Sequence, residues 1–166
     1  MSGFDEFVRA LDYPVHVVTA AADGERDGCL VGFAGQCSID PPRFTVWLSK
    51  ANRTYALAAR SVVLAVHTLP KDQHELARLF GAFTADEGID KFAQARWTPG
   101  PHGVPLLDQA AARFVGRILD RVDWGDHVGF LLEPLDVPAP AAARPEPAGR
   151  ILMFRQVRDL DAGHPA

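Results

Sequence analysis

The chain has 166 residues, 48% of them hydrophobic and 23% charged, with a formal net charge of −4. One domain of this size buries roughly 70% of its unfolded surface, so it is expected to hold together without disulfide or metal staples, and its composition excludes wholly disordered and fibrous chains. The mildly acidic balance argues against a broad phosphate-backbone face and therefore against nucleic acid as a partner; an anionic ligand has to be met by a local cluster of donors.

Phe4, Phe7, Val8 and Leu11 recur at helical spacing and predict a short amphipathic helix that stops before Pro14. Asp5 and Glu6 near the start give the wrong order of charges for a secretory leader, and no apolar run is long enough to span a membrane. Val15 to Ala21 reads as a strand by its β-branched content, and Asp23-Gly24 as a hairpin turn. Gly28 to Ile39 reads as one further strand. Its odd positions, from Cys29 and Val31 to Cys37 and Ile39, are mostly apolar and are assigned to a core, which makes Cys37 an inert buried thiol. Its even positions are small and partly polar, leaving room for something flat against the backbone. Cys29 and Cys37 on one strand would lie roughly 26 Å apart, so both thiols are expected free and the compartment cytoplasmic.

After the break at Asp40-Pro41-Pro42, Arg43 to Ser49 alternates as an antiparallel neighbour, and a helix capped by Asn52 is predicted from Arg53 to Arg60. Val62 to Leu69 is another strand. Asp72 and Glu75 resemble a capping box before a helix with Leu76, Leu79 and Phe80 as its buried stripe. Phe83 to Val104 reads as a long functional loop, a lid with Lys91 and Trp97. Ala112 to Val122 and His127 to Val137 are long strands joined at Asp123-Trp124-Gly125-Asp126. Pro138 to Gly149 is a Pro/Ala-rich linker, and Ile151 to Val157 is a last strand. These elements make a mainly β, single-domain protein spanning 1–166: a six- to seven-stranded antiparallel split β-barrel with short peripheral helices.

Three places could carry chemistry. Ser49 to Thr54 leads a strand into a helix start where Lys50, Asn52, Arg53 and Thr54 offer the donors that a phosphate monoester requires, although an ordinary capped helix would look the same. The small-residue face from Leu30 to Ser38 could present amides to a ring system or serve close packing. His127 could donate a proton, hold a cofactor or be merely structural. The histidines lack metal-ligand spacing, so no metal is expected, and neither a P-loop, a nucleophile elbow nor a dinucleotide fingerprint occurs.

The order of Tyr13-Pro14-Val15, Ser38-Ile39-Asp40-Pro41-Pro42, Asn52-Arg53-Thr54-Tyr55, Leu76 to Phe80, Asp90-Lys91-Phe92, Val104 to Asp108, Gly125-Asp126-His127 and Leu152-Met153-Phe154 resembles the flavin reductase-like proteins with an FMN-binding split β-barrel. The resemblance covers about residues 12 to 158. It implies a homodimer with FMN, or FAD, in a groove near the subunit interface, NAD(P)H as hydride donor and a monooxygenase as partner. On this match Leu30, Val31, Gly32 and Phe33 line the flavin ring, Gln36, Cys37 and Ser38 support it, Lys50, Asn52, Arg53 and Thr54 hold the phosphate, and Lys91 also contacts the cofactor. His127 matches the histidine near flavin and nicotinamide. Many members carry Thr and then Asn-Ser where this chain has Leu30, Gly32 and Phe33, so backbone amides have to replace side-chain bonds to the ring. The alternatives are a deazaflavin- or heme-using protein of the same barrel, or a non-catalytic flavin-binding dimer.

Overall fold

The computed structural model describes residues 1–83, 88–135, 139 and 150–161, so most of the predicted Pro/Ala-rich linker lies outside the described residues. Helix α1 (Gly3–Ala10) opens the chain with a capping box in which Ser2 Oγ accepts the Asp5 N–H and the Asp5 carboxylate accepts the Ser2 N–H. No α1 residue is buried, and Phe4 and Phe7 are 71% and 62% exposed, so its apolar face finds no cover among the described residues. Strands β1 (His16–Ala22) and β2 (Glu25–Val31) form a hairpin whose turn residues Asp23 and Gly24 both take positive φ, as a type I′ turn requires. Then come β3 (Ala34–Ser38), β4 (Arg43–Ser49), α2 (Arg53–Ala58), β5 (Val63–Thr68) and α3 (His74–Gly81). The chain continues through α4 (Lys91–Gln94), β6 (Trp97–Pro99), β7 (Pro105–Leu107), β8 (Ala112–Asp123) and β9 (His127–Leu135).

Seven strands form one antiparallel sheet in the order β2-β1-β5-β8-β9-β4-β3, while β6 and β7 pair separately. The strands β2 and β3 occupy opposite edges of the sheet, yet only Gly32 and Phe33 separate them along the chain. A flat sheet cannot satisfy both conditions, so this one curls until its edges approach and leaves a split where the chain crosses. The predicted barrel is therefore present as a curled, incompletely closed sheet.

Gly28 to Ile39 is not one strand. The crossing breaks it, and the inward alternation survives only in β2: Cys29 and Val31 are buried, whereas Phe33 is 54% and Ile39 84% exposed. Cys37 is exposed as well, which corrects its reading as a buried thiol; both cysteines are free. The capping box expected at Asp72 is absent, because α3 begins one residue after Gln73, which makes no side-chain cap bond. Ile151 to Val157 makes only the isolated bridges of Ile151 to Pro70 and Met153 to Pro14, followed by a 3₁₀ turn.

Strands β1 and β5 are buried on both faces, which their runs of Val and Ala permit. Val18, Val46, Leu48, Leu64, Val66, Phe130 and Leu132 fill the inside of the curl, and Leu57 of α2 joins them. On the outer face Val17 packs with Leu69, Leu76, Phe80, Leu107 and Leu152, so α3 and the C-terminal segment cover β1 from behind.

His67 lies between these layers, fully buried. Its Nδ1–H donates to Val17 O at 2.9 Å and its Nε2 accepts the Leu107 N–H at 3.1 Å, which fixes a neutral tautomer and joins β5, β1 and β7. Burial pushes its pKa down to about 4, and burial does the same to His16, also to about 4. Both rings take up protons at ordinary values when unfolded and resist them when folded. Their contribution is therefore complete above about pH 6.5 and is lost as pH falls towards 4, at roughly 2 kcal/mol each by pH 5. The urea midpoint is expected to drop clearly between pH 7 and pH 5; equal midpoints would show that neither histidine is held neutral.

Candidate functional site

A cleft of about 440 Å³ opens at the split of the sheet. Its floor is the crossing segment itself, Leu30 to Phe33. Phe33 O accepts the Trp47 N–H at 2.9 Å, which ties the crossing to β4 as β3 begins its pairing there. A Cβ on Gly32 would sit 2.9 Å from Tyr13 Cε2, so the glycine is what lets Tyr13 approach. The Tyr13 ring in turn stacks on Phe154 at 4.9 Å and 18°, which brings the C-terminal segment to the cleft as a second wall. On the far side Gly129 faces Trp47 across β9 and β4, and a Cβ there would lie 2.8 Å from Trp47 Nε1.

Besides the Tyr13 hydroxyl and the Trp47 indole N–H, the polar side chains among the described lining residues are few: Ser49, Asn52, His127 and Arg158. Ser49 ends β4 opposite His127, the first residue of β9. Asn52 caps α2, its Oδ1 accepting the Thr54 N–H at 2.9 Å, as its sequence position predicts. His127 Nδ1 donates to the Asp126 carboxylate at 2.7 Å, and that bond holds Asp126 below the usual carboxylate range. The pair is exposed and worth little as an ion pair. Its effect is to orient the imidazole, which packs tilted at 54° against Phe33 with 5.1 Å between ring centres, and to leave Nε2 without a partner among the described residues.

Leu30, Val31, Gly32, Phe33, Asn52 and His127 thus meet in one cleft, and the other predicted site residues lie elsewhere. Lys50 pairs with Asp123 at 2.7 Å, and its N–H donates to Asp126 O, so it braces the β8–β9 turn against β4. Arg53 lines a separate cavity with Arg26 and Asp27. Thr54 is wholly buried, with its hydroxyl against the Cys29 thiol, whose pKa burial pushes up to about 12. Gln36, Cys37 and Ser38 border a shallow hollow at the far end of β3, where Ser38 Oγ donates to Pro41 O at 2.6 Å.

Lys91 does not reach the cleft. Its buried Nζ donates to Gly28 O at 2.8 Å and lies 3.8 Å from Asp27, from the outer side of β2. The segment predicted as a lid is accordingly folded away in its described residues, with Trp97 in β6 donating to Phe92 O and Arg26 over its ring. Residues 84–87 lie outside the described residues. Tyr13, Trp47, Phe154 and Arg158 are cleft residues that sequence reasoning did not single out; the signal available for Tyr13 and Phe154 was their place in family-like segments. Among the described residues no cluster of three His, Cys, Asp or Glu could hold a metal.

Replacing Lys91 with Met would leave the Asp27 carboxylate buried without its cation. A loss of about 3 kcal/mol or more is expected by chemical denaturation, and an unchanged midpoint would show that the pair is not structural.

The split of the curled sheet thus carries an aromatic-walled cleft with a glycine in its floor and a handful of polar groups on its rim. The family model of the flavin reductase like domain matches residues 8–161, and the chain belongs to that family. The FMN reductase (NADH) RutF of Enterobacter cloacae is 31% identical over 124 residues, covering 75% of this chain and 74% of that protein. The FMN-binding protein from Thermus thermophilus, solved with bound 1-cyclohex-2-enone, superposes with a TM-score of 0.80 at 26% identity, covering 96% of this chain and 90% of that one. Nitrilotriacetate monooxygenase component B from Mycobacterium thermoresistibile shares the fold, with a TM-score of 0.76 at 24% identity over 91% of this chain and 80% of that one.

Proposed function

We propose that the protein is an NAD(P)H-dependent flavin oxidoreductase that binds FMN or FAD in the split cleft. The observation that carries this reading is the cleft itself: a flat floor at Gly32 with aromatic walls and a rim of Ser49, Asn52 and His127, in a member of the flavin reductase-like family. A relative named FMN reductase (NADH) supports NADH as donor and FMN as acceptor. The reading extends to a homodimer, for which the uncovered apolar face of α1 speaks, and to service as the reductase component of a monooxygenase in the cytoplasm.

A flavin bound here supplies the ring nitrogen that accepts hydride from a reduced nicotinamide. The chain supplies the geometry. Leu30, Val31, Gly32 and Phe33 form the surface against which the ring lies, and because none of their side chains donates hydrogen bonds, polar contacts there fall to the backbone. Trp47 and Tyr13 wall the ring and exclude water, and Asn52 offers its side-chain N–H groups at the rim. His127, oriented by Asp126, presents Nε2 to the ring edge or to the carboxamide of the donor.

Purified protein is expected to oxidise NADH or NADPH with at least one of FMN, FAD and riboflavin, followed as loss of reduced-nicotinamide absorbance. Binding of flavin without turnover would overturn the enzymatic reading in favour of a storage protein, and a heme or deazaflavin spectrum would overturn the cofactor. Replacement of His127 by Ala is expected to slow hydride transfer about tenfold or more while leaving the circular dichroism unchanged. An unaltered single-turnover rate removes His127 from the mechanism.

A further inference from the structure

The cleft has few charges. Among its described lining residues Arg158 is the single Lys or Arg, and no carboxylate accompanies it. The neighbouring cations are committed elsewhere: Lys50 to Asp123, Lys91 to Gly28 O and Asp27, and Arg155 to Ala10 O. Arg158 is exposed and has no hydrogen bond, ion pair or ring contact with another described residue.

Its backbone, by contrast, is well fixed. Val157 is buried, the Val157 N–H donates to Phe154 O at 3.0 Å, and the Leu160 N–H donates to Val157 O at 3.0 Å. One turn earlier the Arg155 N–H donates to Asp12 Oδ1 at 3.0 Å and its guanidinium to Ala10 O at 2.8 Å. A pinned turn thus presents an uncommitted Arg158 at the cleft, beside the apolar lining residues Phe154, Val157 and Leu160.

We propose that Arg158 is the anion-binding residue of this cleft and takes the phosphate ester of a nucleotide whose ring lies on the Leu30 to Phe33 floor. The inference rests on the reading of the cleft as a flavin and nicotinamide site. The planar fork of a guanidinium matches two phosphate oxygens. The absence of a carboxylate from the described lining leaves that charge for a ligand. Flavin mononucleotide and the nicotinamide dinucleotides present the same phosphate ester chemistry, so the experiment separates the two sources.

Wild type and Arg158→Gln are titrated with FMN and with riboflavin by flavin fluorescence, and KM for NADH is measured with riboflavin as acceptor. If the flavin phosphate is the ligand, the variant binds FMN about 10- to 100-fold more weakly and riboflavin as before. If the dinucleotide is the ligand, KM for NADH rises by a similar factor instead. Arg158→Lys should recover part of either loss. An Arg158→Gln protein that matches wild type in all three measurements overturns the proposal and leaves the proposed function standing, whereas a wild type that binds neither flavin nor NADH overturns both.

Discussion

Two strands adjacent in the chain lie at opposite edges of a seven-stranded sheet, and two residues are all that join them. That short crossing forces the sheet to curl and prevents ordinary ladder pairing where the edges approach. It also puts the crossing backbone at the place where the cleft lies. In a closed barrel every strand would satisfy its neighbour and the interior would be side chains. Here the crossing has to be covered from outside, and Tyr13, Trp47 and the C-terminal segment do so with aromatic rings rather than with a further strand. The aromatic character of the cleft is thus a by-product of how the sheet closes.

The polar groups divide according to whether the fold consumes them. His67 spends both ring nitrogens on backbone partners from separate strands, Lys91 and Asp27 neutralise one another behind β2, and Lys50 locks the β8–β9 turn. Each is a structural tie; those of His67 and of Lys91 with Asp27 are buried and expensive to break because the partner remains behind unpaired, whereas the exposed Lys50 pair chiefly positions the turn. The cleft residues are different. His127 uses one nitrogen, Asn52 uses its oxygen, and Arg158 uses nothing, so their remaining capacity faces the space where a ligand would sit.

Much of this was legible in the sequence where the determining forces are local. Strand β4 runs from Arg43 to Ser49 as its alternation predicts, the Asn52 cap starts α2, and the long pair β8 and β9 meets at the expected turn. The crossing was not legible, because apolar and small residues keep alternating straight through Gly32-Phe33 and only the pairing of distant strands breaks the run there. For the same reason Cys37 falls on the same side of the alternation as Cys29, although one is exposed and the other buried. Of the four residues grouped around the α2 start, the helical twist sends Asn52 to the cleft, Arg53 to another cavity and Thr54 into the core. No local pattern marks Arg158, whose position depends on contacts with residues near the other end of the chain.

Those contacts set a practical boundary for anyone shortening or tagging the protein. Helix α1 buries none of its side chains, so an affinity tag ahead of Ser2 should leave the barrel undisturbed. The last carbonyl of that helix, at Ala10, and the carboxylate of Asp12 are nevertheless the moorings of Arg155. A truncation that trims past Ala10 therefore damages the opposite terminus first, releasing the wall that Phe154 and Arg158 give the cleft while the seven strands stay paired.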